Sequence, residues 1–450
     1  MMGDSIRVAK QLSEPNSEAK QETPTERNRE KQKFPTSLEW GRKGTVLLFV
    51  SMATLYLLIA LVRYLHGPPG IGQHFVYLAD GWLHGHLYVH DLPHDTQDFT
   101  LHNGHWYVAF PPLPAVLMLP LVAIFHLANP PLITFSLSVG MGILNLGLML
   151  WVLKRFSYSQ FVGQKLIPVA WLLGLFAFGS EHLYAVMQGH VWELAHIVAT
   201  TFLLLYIGET LGKRRPLVAG LFLGLAVLSR TTVLFTFPFF VLLAMKTEHM
   251  RPLKVWLPGV LKQLVPFFAM LGLFVVGMLI YNKARFGSFT DFGYTGMNVN
   301  PYVSGGLHKY GLFSLHFLPT NFRYMLLEPP KLISSVPYLI FSTHGTGIFW
   351  TTPALLFAFL AFRSPERRWL AGALLVASLL PMALLLLYFN TGWLQFGYRF
   401  SLDFLPFALL LAALGMQQVP AWREKALIVL SVFMNVWGLF VFMFFHLPLL

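Results

Sequence analysis

Residues Thr45 to Val62 read TVLLFVSMATLYLLIALV, eighteen positions without a charge. At about 1.5 Å of rise per residue, such a run nearly matches the hydrocarbon core of a bilayer, so it reads as a membrane span. Working outward, comparable apolar runs fall near 44–65, 131–153, 166–182, 194–211, 257–281, 346–362, 369–389, 403–418 and 425–446. A shorter pair, 216–229 and 232–245, is broken by Ser229, Arg230 and Thr231 and brings the expected spans to eleven. The expected fold class is an all-α polytopic membrane protein whose outer loops carry short interfacial helices and a small β-hairpin. Composition agrees: charged residues make up 12% of the 450 and hydrophobic residues 55%. Soluble domains are about one-quarter charged, so a soluble globular enzyme is excluded.

Residues 1–43 differ from the rest. They carry nine basic and seven acidic side chains with almost no aliphatic run, which is expected to form a disordered cytoplasmic tail ahead of a transmembrane domain at 44–450. The first apolar run begins too far in and is too long for a cleaved signal peptide, so it is expected to stay as a signal anchor. The net charge of +12 raises the question of nucleic acid, but the cations sit in short loops between apolar runs, where membrane orientation explains them. No nucleic-acid partner is expected. With no cysteine there is no disulfide framework and no thiol nucleophile.

The run 113–127 contains Pro114 and Pro120 and follows Pro111-Pro112, so hydropathy alone does not decide whether it crosses. Loop charge does. With eleven spans, the loops bearing Lys154, Arg155 and Lys165; Lys213 to Arg215; Lys246, Arg251 and Lys254; Arg363, Arg367 and Arg368; and Arg423 and Lys425 all fall on the side of the tail. The positive-inside bias makes that side cytoplasmic, in a plasma or inner membrane, and leaves 113–127 as an interfacial or re-entrant helix. Outside then lie 66–130, which holds no Lys or Arg, with 183–193, 282–345 and 390–402. Loops as long as 66–112 and 282–345 are uncommon unless functional. Asn103-Gly104 between two β-prone runs predicts a type I′ hairpin.

Charged side chains at the outer ends of spans need a reason. Asp80, in YLADGWLHG at 77–85, stands in a segment with no cation to neutralise it, which suits a general base; a helix cap is the plain alternative. Asp91, Asp95 and Asp98 share a polar loop and read as capping, turn or solvated residues. Seven histidines lie between 74 and 105. Among them His84, His86, His90 and His94 have ligand chemistry suited to a divalent metal, although the spacing is loose and a polar surface tolerates histidine. Arg230, Arg285 and Arg399 stand against the positive-inside bias, which makes sense where an anionic ligand waits, since Arg matches phosphate bidentately; snorkelling, or a pair with Asp291 or Asp403, is the alternative. Glu181 and Glu193 flank Tyr184, Gln188, His190 and Trp192 and either line the same cavity as Asp80 or mark the water interface.

In sum these pieces resemble a known group. YLADGWLHG after the first span, NGHWYVAFPPLP at 103–114, GLFLGLAVLSR at 220–230 followed by FPF, YNKARFGS at 281–288 and QFGYR at 395–399 resemble polyprenyl-phosphate-sugar-dependent glycosyltransferases of the GT-C superfamily, in particular bacterial proteins similar to protein mannosyltransferases of the cell envelope. The resemblance implies an outer active site and inverting transfer of a sugar from a polyprenyl-phosphate-linked donor to a lipid, glycan or protein acceptor, with membrane lipids around it. It implies Asp80 as general base, Glu181 and Glu193 standing where the family often has a second carboxylate, and Arg230, Arg399 and Arg285 at the donor phosphate. Tyr77, Trp82, His84, Gln188, His190 and Tyr398 would line the substrate cavity. No certain cofactor is implied, and the histidines leave room for a divalent metal. Among other classes, a lipid-linked glycan ligase or polymerase would share the outer loops and donor, a transporter would need a polar path at mid-membrane, and a non-catalytic scaffold would leave Asp80 and the arginines without a joint purpose.

Overall fold

The computed structural model describes residues 42–67, 71–158, 169–248, 252–392, 394–416 and 421–445. Residues 1–41 of the expected tail, and Lys165 and Arg251 of the expected cytoplasmic loops, lie outside the described residues. The first span is α1 (Arg42–Leu65), followed by a short helix α2 (His74–Leu83), the strands β1 (Phe99–His102) and β2 (His105–Val108), and helix α3 (Leu113–Phe125). Next come α4 (Pro130–Tyr158), α5 (Val169–Phe178), α6 (Glu181–Gln188), α7 (Val191–Leu211), α8 (Pro216–Val227), α9 (Pro238–Glu248) and α10 (Leu253–Phe286). A second long connection holds α11 (Pro301–Tyr310) and the short strands β3 (Lys331–Leu332), β4 (Leu339–Ile340) and β5 (His344–Thr346). Then follow α12 (Arg368–Leu386), β6 (Gln395–Gly397), α13 (Leu405–Gly415) and α14 (Trp422–Phe444).

Six helices, α1, α4, α7, α10, α12 and α14, are long and apolar enough to cross a membrane; α5 and α6, bent by 46° at a short break, would together make a seventh. The other four expected spans are realised as shorter pieces. Residues 216–229 supply α8, and 232–245 a 3-10 turn (Thr231–Thr236) followed by α9. Residues 346–362 become a short helical turn and a 3-10 run, Pro353–Arg363, and 403–418 keep only α13. The breaks fall at Pro238, Pro353 and Pro406, each unable to donate a helical N–H. Irregular backbone at membrane depth is tolerated where protein covers it, and α13 meets that condition, with Phe407, Leu410 and Ala413 fully buried.

Burial separates the core helices from the outer ones. The most apolar window of α7 is 83% buried, against 11% for α1 and 17% for α10, so α7 is packed on all sides while α1 and α10 turn apolar surface outward, as lipid contact requires. Helix α3 has thirteen residues, about 20 Å, too short for the hydrocarbon core. It packs on α2 through Phe75, Leu78, Ala79, Leu113, Met118 and Val122. The expected hairpin is present: Phe99 faces Val108 and His102 faces His105, with Asn103 and Gly104 at φ 48° and 79°. The sequence does not announce the parallel pair of β5 with β6, in which His344 faces Gln395 and Thr346 faces Gly397.

Candidate active site

Loops far apart in sequence converge beside the N-terminal end of α7. The hairpin is stitched to the second long connection by the Asn298 N–H donating to Phe99 O (2.8 Å) and the Asp98 N–H donating to Asn298 O (2.8 Å). Those bonds hold Asp98, at φ 60°, so that its Oδ2 accepts the Trp192 indole N–H at 2.8 Å. Behind β6, Gln395 Nε2 donates to Thr391 O (2.7 Å) and to His344 O (2.9 Å), which fixes the turn ahead of Arg399. The result is a cavity walled by Asp98, Phe110, Trp192, Ala195, Arg230, Tyr294, Met297, Val299, Tyr388, Phe389, Asn390, Arg399 and Phe400. Two guanidiniums and one carboxylate are the charged groups of this wall, and six of its thirteen residues are aromatic.

The two arginines flank one ring, their guanidinium carbons 5.3 Å (Arg230) and 5.2 Å (Arg399) from the centre of Phe400. Arg230 grips Asp403 with Nη2–Oδ2 at 3.1 Å and Nε–Oδ1 at 3.4 Å. Asp403 is fully buried and also accepts from His196 Nδ1 (2.7 Å) and from the Thr232 hydroxyl. A buried carboxylate so surrounded holds the guanidinium in one orientation, and losing either partner would strand the other. Arg399 donates to Gly392 O at 2.7 Å and lies 3.7 Å from Glu193 Oε1. Partial burial pushes the Asp98 carboxyl up to about 6, against the opposing pull of the Trp192 N–H and the Arg399 charge. Tyr294 hydrogen-bonds Tyr388, and burial raises its phenol so that it stays protonated.

No family model matches the chain, and no curated protein matches it in sequence. Among solved structures it is similar to ArnT from Cupriavidus metallidurans bound to undecaprenyl phosphate, at 13% identity and a TM-score of 0.44, over 83% of this chain and 60% of that one. It is also similar to the Archaeoglobus fulgidus oligosaccharyltransferase in the apo form, at 16% identity and a TM-score of 0.45, over 90% and 56%. A third similar structure is the archaeal oligosaccharyltransferase AglB from Archaeoglobus fulgidus with an inhibitory peptide and a dolichol-phosphate, at 16% identity and a TM-score of 0.43, over 88% and 55%. The chain spans less than two thirds of the length of each.

Of the residues singled out in sequence, Arg230 and Arg399 share the cavity wall. Asp80 does not line it. Its side chain turns toward the loop after α2, with Oδ2 3.5 Å from His84 Nδ1. Arg285 is also elsewhere: buried on α10, it donates to Val108 O (2.5 Å) and Asn282 Oδ1 (2.9 Å) and lies over the Tyr281 ring, clamping the hairpin to the helix. Glu193 stands behind Arg399 and pairs with His190 Nδ1 at 3.5 Å, while Glu181 packs against Gly397, one layer further in. Tyr77, Trp82, His84, Gln188, His190 and Tyr398 are absent from the wall; Tyr398 and His190 stand just behind it, edge-on to Phe400 at 5.6 Å and to Trp192 at 5.7 Å. Asp98, Tyr294, Tyr388 and Asn390 are the polar wall residues that sequence reasoning passed over. For Asp98 alone there was a signal, its place directly before the predicted hairpin.

Proposed function

We propose that the chain is a membrane glycosyltransferase of the GT-C type that moves a sugar from a polyprenyl-phosphate-linked donor to an acceptor on the extracytoplasmic side, with inversion. The carrying observation is a single cavity that holds one carboxylate, Asp98, together with the guanidiniums of Arg230 and Arg399. Breaking the bond between the sugar C1 and the phosphate oxygen leaves charge on phosphate, where arginines match it bidentately and charge-assisted bonds are strongest. As the acceptor oxygen bonds to C1 from the opposite face, its proton passes to a carboxylate, and inversion needs only that one base. Asp98 takes this role here in place of Asp80, because it shares the wall with both arginines and has a raised proton affinity. Glu193 and Asp403 act one step back, holding Arg399 and Arg230. Trp192, Phe400 and Tyr388 offer the faces on which a sugar ring packs. A donor with a polyprenyl tail accounts for building such a site in a bilayer protein.

The topology proposed with it keeps the basic short loops and the N-terminus cytoplasmic in a plasma or inner membrane, with the cavity outside. The deciding experiment incubates the purified protein with a panel of polyprenyl-phosphate sugars and measures binding and release of polyprenyl phosphate. At least one donor should bind the wild type and bind Arg399→Ala at least about tenfold more weakly. If every donor binds the two proteins alike, the glycosyltransferase reading falls.

A further inference from the structure

Away from the cavity, the C-terminal end of α2 and the loop behind it bring together three metal-ligating side chains. Asp80, His84 and His90 each offer one donor atom, and these atoms all lie within 4.8 Å of one another. Asp80 is 4% exposed, and its Oδ2 is buried without a hydrogen-bond partner, directed at His84 Nδ1 3.5 Å away. A buried carboxylate oxygen with no donor is costly unless a cation meets it. None comes from the segment 66–130, which contains no Lys or Arg. We propose that Asp80, His84 and His90 bind one divalent transition-metal ion of the zinc type, at a site separate from the sugar-transfer cavity.

The donor set selects the metal. Two imidazoles and one carboxylate suit zinc and its neighbours, whereas calcium and magnesium favour all-oxygen sets. The backbone prepares the site. The His86 N–H donates to Gly81 O (2.9 Å), Gly85 takes φ 79°, and the Val89 N–H donates to Trp106 O (2.8 Å), so the loop is folded back over Asp80 and tied to the hairpin. The two imidazole rings already lie parallel, 4.3 Å apart. Zinc bonds of about 2.0–2.2 Å would draw the donor atoms closer together; His84 (49% exposed) and His90 stand half in solvent, and His84 would exchange its Nδ1 contact with Asp80 O (2.9 Å) for the metal. Three protein ligands leave a fourth position for water or for Asp91, whose carboxylate lies 3.4 Å from His90.

The test uses the full chain, purified through a histidine-free tag, stripped with chelator and titrated with Zn²⁺ at pH 7.5. One ion per chain should bind. His84→Ala and His90→Ala should each weaken binding about 100-fold or more, Asp80→Asn at least about tenfold, and His94→Ala and His102→Ala not at all. Co²⁺ in place of Zn²⁺ should give the intense visible bands of a four-coordinate site in the wild type and lose them in His84→Ala. Both half-exposed histidines can be removed without opening the core, and gel-filtration profiles check each variant's fold. No stoichiometric binding by the wild type, or equal losses in His94→Ala and His102→Ala, would overturn the proposal.

Discussion

Replacing Asp98 by Asn keeps its shape and its acceptance of the Trp192 N–H but removes the ability to take a proton. Turnover should fall by about 100-fold or more, the scale of a lost general base. The structure also sets the pH at which the wild type loses activity. With its carboxyl raised to about 6, Asp98 is about 90% ionised at pH 7 and about 10% at pH 5, so the rate should drop close to tenfold across that window. A base with an ordinary carboxylate value would leave the rate nearly flat there. Stability runs the other way. The folded value lies above the unfolded one, so the fold disfavours the charged side chain; that penalty is full above about pH 6 and gone below about pH 4, where both states are protonated. Asp98→Asn should therefore melt higher than wild type at pH 7.5, with the gap closing toward pH 4, which separates lost catalysis from lost folding. Release of polyprenyl phosphate between pH 4.5 and 8 gives the rate, and a thermal melt at each pH gives the stability. Near-normal turnover in Asp98→Asn, with Asp80→Asn inactive, would refute the reasoning and return the base to α2.

The other predictions concern the arginines and the topology. Arg399→Ala should weaken donor binding by about 1.5–3 kcal/mol, and Lys should restore only part of it because it lacks the planar fork; donor titration by calorimetry checks both. Arg230→Ala should weaken donor binding and also lower the melting temperature, since it leaves the buried Asp403 with only His196 and Thr232; Arg230→Ala with Asp403→Asn should recover the melting temperature without recovering binding. Arg285→Ala should leave donor affinity within about twofold while lowering stability, through the lost bonds to Val108 O and Asn282, by about 1–3 kcal/mol. A cysteine placed at the exposed Asn129, in a chain that has none of its own, should be labelled by an impermeant reagent from outside the cell; labelling only after permeabilisation would reverse the orientation.

Hydropathy and loop charge determined what lies close together in the chain. The six long helices, the shortness of α3 and the Asn103-Gly104 hairpin follow from runs of a dozen or two residues whose burial or turn geometry depends on near neighbours. The breaking of the other apolar runs into 3-10 turns and short helices depended on burial by the rest of the protein, since an unsatisfied helix end survives at membrane depth only where other chain segments cover it. Sequence also singled out Arg230 and Arg399, because a cation is conspicuous in an apolar run. Which carboxylate joins them was another matter: the sequence by itself favours Asp80 and makes Asp98 a capping, turn or solvated residue, because both are acids in one loop without cations and nothing local shows which of them faces the arginines. Tertiary structure alone decided it, by pairing the backbone of Asp98 with Asn298, two hundred positions along the chain, and by turning Asp80 back toward its own loop, where His84 and His90 stand.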